Sequence, residues 1–413
     1  MGKKTFISLL SFILLIMLLC MIKIFVPILF LLKYLPFFER LMKFAGLYSY
    51  NASTMLLISL SIFLISYFFK KIRIIAFNLG FLFFVLASIE IFYNIKDTWF
   101  ADKHNVTEKH IPGFWHYSHF LGYTIEPNFV DHCIGSNCDS IIYDVKYTCN
   151  QNGFRKTPEI IPNNSTKSIV FFGCSFTFGA GLNDTQVLPN IVGELVKNNY
   201  KVYNFALMGY GTQHMLALAE FNMIDTMVSY EPKIFIYAAI NDHVNRIMAN
   251  YNYCRIFQKY EMNPITGEPL NLGRFDKDTF SEWIRNLGVS RIFEKIRTPT
   301  DDDVKLFGAM VFQSKKLLQK KYPNSEFHVL FWDFKEKLSN EMIEELNKRK
   351  ITTHLVTNII PDYINNRKSY HICLPYETHP KFKTNQLLAN YIVTNIIKTP
   401  IKDSVILPEK NLK

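Results

Sequence analysis

Ser175, Gly209, Asn241 and His379 are residues whose types and settings suit one chemistry, the transfer of an acyl group. A serine hydroxyl is a poor nucleophile at neutral pH and needs a base within hydrogen-bond reach, usually histidine. That histidine needs a carboxylate to fix its tautomer and to stabilise the imidazolium. Glu377 stands two residues before His379. The tetrahedral intermediate needs donors aimed at its oxyanion, and a side-chain amide with backbone N–H groups will serve. Each residue also has a plainer reading. Ser175 fits a Gly/Ser loop, Gly209 with Gly211 a turn, Asn241-Asp242 a loop cap and His379 the start of a helix. His214 and His243 are alternative bases, and Cys174 is an alternative nucleophile that would need a lowered thiol pKa.

The elements that must position these groups alternate between strand and helix. Ser168 to Phe172 is a short apolar run that stops at Gly173 and gives way to Cys174-Ser-Phe-Thr-Phe-Gly179. Asn183, Asp184 and Thr185 then offer caps for a helix through Val187, Ile191 and Leu195. The pattern predicts strand, tight turn and helix, with Ser175 at the carboxyl end of the strand, where open α/β sheets bind their ligands. It is not a G-x-S-x-G elbow, because Thr177 stands at the second glycine position, nor a P-loop, because no Gly-Lys-Ser/Thr follows. Further strands are expected at 201–205, 233–239, 327–332 and, more weakly, 353–356. They end in Gly209 and its neighbours, in Asn241-Asp-His243, and in the lead to a last helix at about 382–397. Alternation of this kind predicts a three-layer α/β domain with a largely parallel sheet.

Taken in order, these blocks resemble the SGNH (GDSL-like) hydrolase family. Its first block is similar to Gly173-Cys-Ser-Phe-Thr-Phe-Gly179, and its glycine block to Asn204-Phe-Ala-Leu-Met-Gly209. Its asparagine block is similar to Ala239-Ile-Asn-Asp242 and its histidine block to Glu377-Thr-His-Pro380. Leu121-Gly-Tyr123, Pro127-Asn128 and Asn152-Gly-Phe-Arg155 resemble the segment that precedes the catalytic core in membrane-anchored bacterial members, so the likeness covers about residues 120–400. It implies a flavodoxin-like α/β/α domain with Ser175 as nucleophile and His379 as base. Ser175 N–H, Gly209 N–H and the Asn241 amide would form the oxyanion hole. It implies an esterase or O-acyltransferase that uses no metal and no cofactor. Cys174 departs from the family's Gly-Asp-Ser signature. The triad acid often stands three residues before the histidine, where this chain has Tyr376; some members, including alginate acetylation proteins, place it two before, which points to Glu377, with a Ser–His dyad as the alternative.

Composition bounds the rest. The net charge of +11 is concentrated in residues 1–100, with ten Lys/Arg against three Asp/Glu, and no basic tract follows, which argues against nucleic acid as a partner. Thr5–Ile22 and Ala52–Phe69 are 18-residue stretches without a charge, and Ile74–Ile89 is one of 16 that extends if Glu90 is tolerated. About 20 apolar residues span a bilayer, so about three membrane helices are expected. No A-x-A-like site follows the first, which reads as an uncleaved anchor rather than a signal peptide. Lys3, Lys4 and the loop Lys70-Lys-Ile-Arg73 place the amino terminus in the cytoplasm and, after three crossings, the large domain outside; if the third stretch does not cross, that parity reverses.

The expected divisions are a membrane anchor at 1–96, an irregular membrane-proximal segment at 97–164, the catalytic domain at 165–400 and a tail at 401–413. Cys133 and Cys138 are close enough in sequence for a disulfide or stand as two free thiols. His116 and His119 hint at a metal site, but no converging set of three or four ligands is visible and none is expected. The expected function is a multi-pass inner-membrane serine esterase or O-acyltransferase, its domain extracytoplasmic, acting on an ester-bearing envelope glycan or lipid. The alternatives are a non-catalytic binding or assembly protein of the same fold, or the partner subunit of a membrane acyltransferase in an envelope acylation system.

Overall fold

The computed structural model describes residues 50–99, 106–137, 140–163, 165–277 and 297–399. The expected span at Thr5–Ile22, Cys138 and the tail at 401–413 lie outside them. The chain divides into two compact units, residues 1–103 with 278–295, and residues 104–277 with 296–413.

In the first unit, α1 (Tyr50–Phe68) and α2 (Arg73–Trp99) form an antiparallel helical hairpin. Gly80 lets the helices approach, since a Cβ there would lie 3.0 Å from Phe63 Cδ1, and Ser59 Oγ donates across the gap to Gly80 O at 2.8 Å. Arg73 Nε reaches back to Ser66 O at 3.3 Å, placing a cation on the carbonyls that end α1. Arg73–Phe92 in α2 is long and apolar enough to cross a membrane; its 20 residues extend about 30 Å. In α1 the described apolar stretch is Met55–Phe68. Of the three crossings expected, that of α2 is the one supported among the described residues.

The second unit is built on a sheet of five parallel strands. In chain order they are β4 (Lys167–Phe172), β5 (Tyr200–Asn204), β6 (Pro232–Ile240), β7 (Glu326–Trp332) and β8 (Thr352–Leu355), in spatial order β8-β7-β6-β4-β5. β4 and β6 are apolar almost throughout because both their faces are covered. Val170, Phe172, Phe235, Tyr237, Val329 and Phe331 face one core with α5 (Thr212–Glu220) and α7 (Asp301–Lys321). Ile169, Phe171, Ile234, Ile236, Leu330 and Trp332 face the other with α4 (Leu188–Val196) and α9 (Phe382–Tyr391). This is the expected three-layer α/β arrangement, and its strand order puts the loops after β4, β5 and β6 side by side.

The segment expected to be irregular is not. It carries a three-stranded antiparallel sheet of β1 (Thr107–Lys109), β2 (Val130–Asn137) and β3 (Ser140–Thr148), and a hairpin of Trp115–Ser118 with Gly122–Ile125. Residues 104–164 belong to the same unit as the parallel sheet. In β3, Tyr143, Val145 and Tyr147 point inward while Asp144 and Lys146 point out, a period of two that the aromatic residues obscure. Cys133 is a buried free thiol in β2, and Cys138, with which a disulfide was expected as one alternative, lies outside the described residues.

Candidate active site

β4 delivers the chain to Ser175, which opens the single-turn α3 (Ser175–Phe178) and is 8% exposed. Gly179 ends that turn in the left-handed region at φ 83°, and a Cβ on it would lie 2.0 Å from Val187 Cγ1, so only glycine closes here. Arg155, from the Asn152-Gly-Phe-Arg block, is buried beneath this turn. Its guanidinium donates to Phe178 O and Gly179 O at 2.8 Å each, to Leu182 O at 2.5 Å and to Asp184 Oδ1 at 2.9 Å. The rings of Tyr147 and Phe178 lie 4.5 and 4.9 Å from its centre. The carbonyls left over by the turn are thereby satisfied. The sequence reading gave Arg155 no role.

Glu377 and His379 lie on β10 (Glu377–Pro380), which pairs with β9 (His371–Cys373) just before α9. Glu377 is buried; its Oε1 pairs with His379 Nδ1 and accepts the His379 backbone N–H at 2.9 Å. Two contacts to one oxygen orient the imidazole and leave Nε2 as its free nitrogen. The ring stands edge-on to Phe176, the residue after Ser175, at 5.3 Å between centroids. Among the described residues neither Ser175 Oγ nor His379 Nε2 forms a hydrogen bond. Catalytic hydrogen bonds of this type are often open in a free enzyme and close with substrate. Tyr376 is 38% exposed.

Gly209 follows β5 at φ 79°, and a Cβ there would lie 2.4 Å from Tyr123 Oη. Tyr123 donates to Met208 O at 2.5 Å and pins this loop. A cavity of about 710 Å³ opens beside Gly209, walled by Trp115, Tyr117, Tyr123, Tyr253 and Arg246. Asn241 follows β6, but its amide is turned to the β7 side. Nδ2 donates to Glu336 Oε2 at 2.9 Å and Oδ1 accepts from Ser339 Oγ at 2.8 Å. One amide proton remains for another acceptor.

The alternative bases and nucleophile sit in the interior. His214 and His243 are buried. Burial first, and the Arg246 charge second, push the His214 pKa down to about 3 and that of His243 well below the usual range. Both stay neutral inside the fold. Cys174 is fully buried against Arg246, away from solvent. Burial works to lower the Arg246 pKa, but Cys174, Asp242 and Tyr253 outweigh it and hold it above the ordinary arginine value. Asp242 accepts from Arg246 Nε at 2.9 Å and Nη2 at 2.8 Å, so the segment after β6 carries a partly buried ion pair that sequence reasoning missed. The signal was the four-residue spacing of Asp242 and Arg246.

No family model matches the sequence, and no curated protein matches it. Solved structures that resemble it include an acetyl xylan esterase from the rumen bacterium Butyrivibrio proteoclasticus, at 13% identity, covering 71% of this chain and 85% of that one, with a TM-score of 0.33. An esterase from Pseudoalteromonas sp. is 12% identical over 56% of this chain and 97% of that one, with a TM-score of 0.29. A salicylyl-acyltransferase from a tetracycline biosynthetic pathway is 10% identical over 58% of each chain, with a TM-score of 0.34. At these scores the likenesses carry no weight for fold or function, which stand on the chain's own geometry.

Proposed function

We propose that this chain is a serine esterase or O-acyltransferase of the SGNH type, anchored in the inner membrane. The observation that carries the proposal is the Glu377–His379 pair, oriented through Nδ1 and packed on Phe176 beside Ser175, at the carboxyl end of the central sheet. Ser175 Oγ attacks the acyl carbon of an ester and its proton passes to His379 Nε2. The carbonyl oxygen becomes an oxyanion facing Ser175 N–H and Gly209 N–H, neither of which has another acceptor among the described residues. The remaining proton of the Asn241 amide is the one the oxyanion role would use. His379 then protonates the leaving alcohol, and water or a sugar hydroxyl releases the acyl group from Ser175 by the reverse sequence. Glu377 holds the imidazolium.

The outward apolar residues of α2, including Ile74, Ile75, Phe77 and Phe81, support a membrane anchor. A bilayer location favours an ester-bearing envelope glycan or lipid as substrate, with the domain outside the cytoplasm and a membrane acyltransferase as possible donor of the acyl group. Purified full-length protein is expected to hydrolyse a short-chain aryl ester and to be labelled by a fluorophosphonate at Ser175. Ser175→Ala loses both. Equal hydrolysis by wild type and Ser175→Ala refutes the assignment. A folded wild type that neither turns over nor takes the label favours the binding or assembly alternative.

A further inference from the structure

We infer that Glu108, His110 and Cys133 form a site for a thiophilic divalent cation of the zinc class, on the small antiparallel sheet and not in the acyl-transfer centre. One ligand atom from each of the three side chains lies within 4.8 Å of the other two. His110 Nε2 and Glu108 Oε2 are 3.4 Å apart. Two ligands at about 2.0–2.2 Å from zinc and at a tetrahedral angle stand about 3.4 Å from each other, so this edge already has the right length. Cys133 is fully buried and supplies the sulfur that the zinc class prefers over magnesium or calcium.

The surroundings hold each ligand in a binding orientation. Asp131 accepts from His110 Nδ1 at 2.5 Å, and its other oxygen accepts Ile111 N–H at 2.8 Å. This carboxylate–histidine arrangement holds Nδ1, as in zinc proteins generally, and directs Nε2 at Glu108 Oε2, the contact a cation would replace. Phe114 stacks on the imidazole at 4.1 Å between centroids and 7° between planes. Tyr143 donates to Glu108 Oε1 at 2.5 Å, which leaves Oε2 for the cation. Three protein ligands leave a fourth position for water. On binding, the Cys133 thiol proton and the His110 Nε2 proton that faces Glu108 Oε2 both go to solvent as the metal–sulfur and metal–nitrogen bonds form, with no change of oxidation state. His116 and His119, the pair singled out by sequence, take no part: His116 bonds the exposed Glu126 at 2.9 Å. The site ties β1 to β2 and, through Tyr143, reaches the ring wall beside Gly181.

The test titrates metal-free full-length protein in detergent with Co²⁺, then displaces it with Zn²⁺. The expected result is one equivalent per chain with a thiolate-to-cobalt charge-transfer band that Zn²⁺ abolishes. Cys133→Ser loses the band, Glu108→Gln weakens binding at least 10-fold, and Asp131→Asn weakens it by about 10–100-fold. His132→Ala, an exposed histidine on the same strand, leaves binding unchanged. Absence of stoichiometric binding in the wild type overturns the proposal, as does a band that survives Cys133→Ser. Should Cys133→Ser fail to fold by circular dichroism, unchanged affinity in the isosteric Glu108→Gln overturns it. Hydrolysis at Ser175 is not the readout, so failure here is distinct from failure of the acyl-transfer assignment.

Discussion

Replacing Arg155 should both destabilise the domain and disable Ser175, although Arg155 is not expected to touch substrate. Its side chain is fully enclosed and holds Phe178 O, Gly179 O, Leu182 O and Asp184 Oδ1 at 2.5 to 2.9 Å. Arg155→Ala strands three backbone carbonyls that the turn after Ser175 cannot satisfy by itself, and leaves Asp184 without its cation. Removing one partner of such a buried charged network costs about 3–5 kcal/mol. At about 2.1 cal/mol/K per residue, a kilocalorie moves the melting temperature of a unit of this size by about 1.6 °C, so a fall of roughly 5–8 °C is expected. Arg155→Lys keeps the charge but cannot fork to four acceptors, and should fall between wild type and Arg155→Ala. The assay is thermal unfolding of the detergent-solubilised protein, read beside ester hydrolysis at a temperature where each variant is folded. Because the turn that presents Ser175 loses its anchor, kcat should drop in Arg155→Lys even when the protein is folded. A melting temperature within about 2 °C of wild type for Arg155→Ala would refute the reasoning.

Glu377→Gln keeps a hydrogen bond to His379 but allows the wrong tautomer, so kcat should fall by about 10³–10⁴ with KM little changed. A loss under tenfold in steady-state hydrolysis would mean that Glu377 is not the acid. Stability should fall as pH drops from about 6.5 toward 4: burial depresses the His214 pKa to about 3 and the His354 pKa to about 4, so the unfolded chain binds more protons throughout that window. Melting curves at pH 7 and pH 5 check this, and a protein more stable at pH 5 would contradict it.

What could be read from the sequence depended on where each contact's partner lies. The parallel strands were legible because both faces of β4 and β6 are covered, which writes an unbroken apolar run into the chain. The placing of Ser175 and of the Glu377–His379 pair was legible for a different reason: local rules act over two to four residues, and Gly173, Gly179 and the Glu-x-His spacing all fall within that range. Arg155 is the opposite case. Its partners are mostly main-chain carbonyls more than 20 residues away, and a carbonyl looks the same whichever residue carries it. Asn241 was identified by its block, yet the residues that turn its amide, Glu336 and Ser339, follow a different strand and carry no mark of that contact. The small antiparallel sheet fell between these cases. Glu108 and His110 are two apart, and the alternation of an extended chain puts such a pair on one face. Cys133 joins them only through the pairing of β1 with β2, where Lys109 lies opposite Ile134. Two of that cluster's three members were therefore written locally, while the cross-strand register supplied the third. For this reason two neighbouring histidines drew attention in the sequence and the converging set did not.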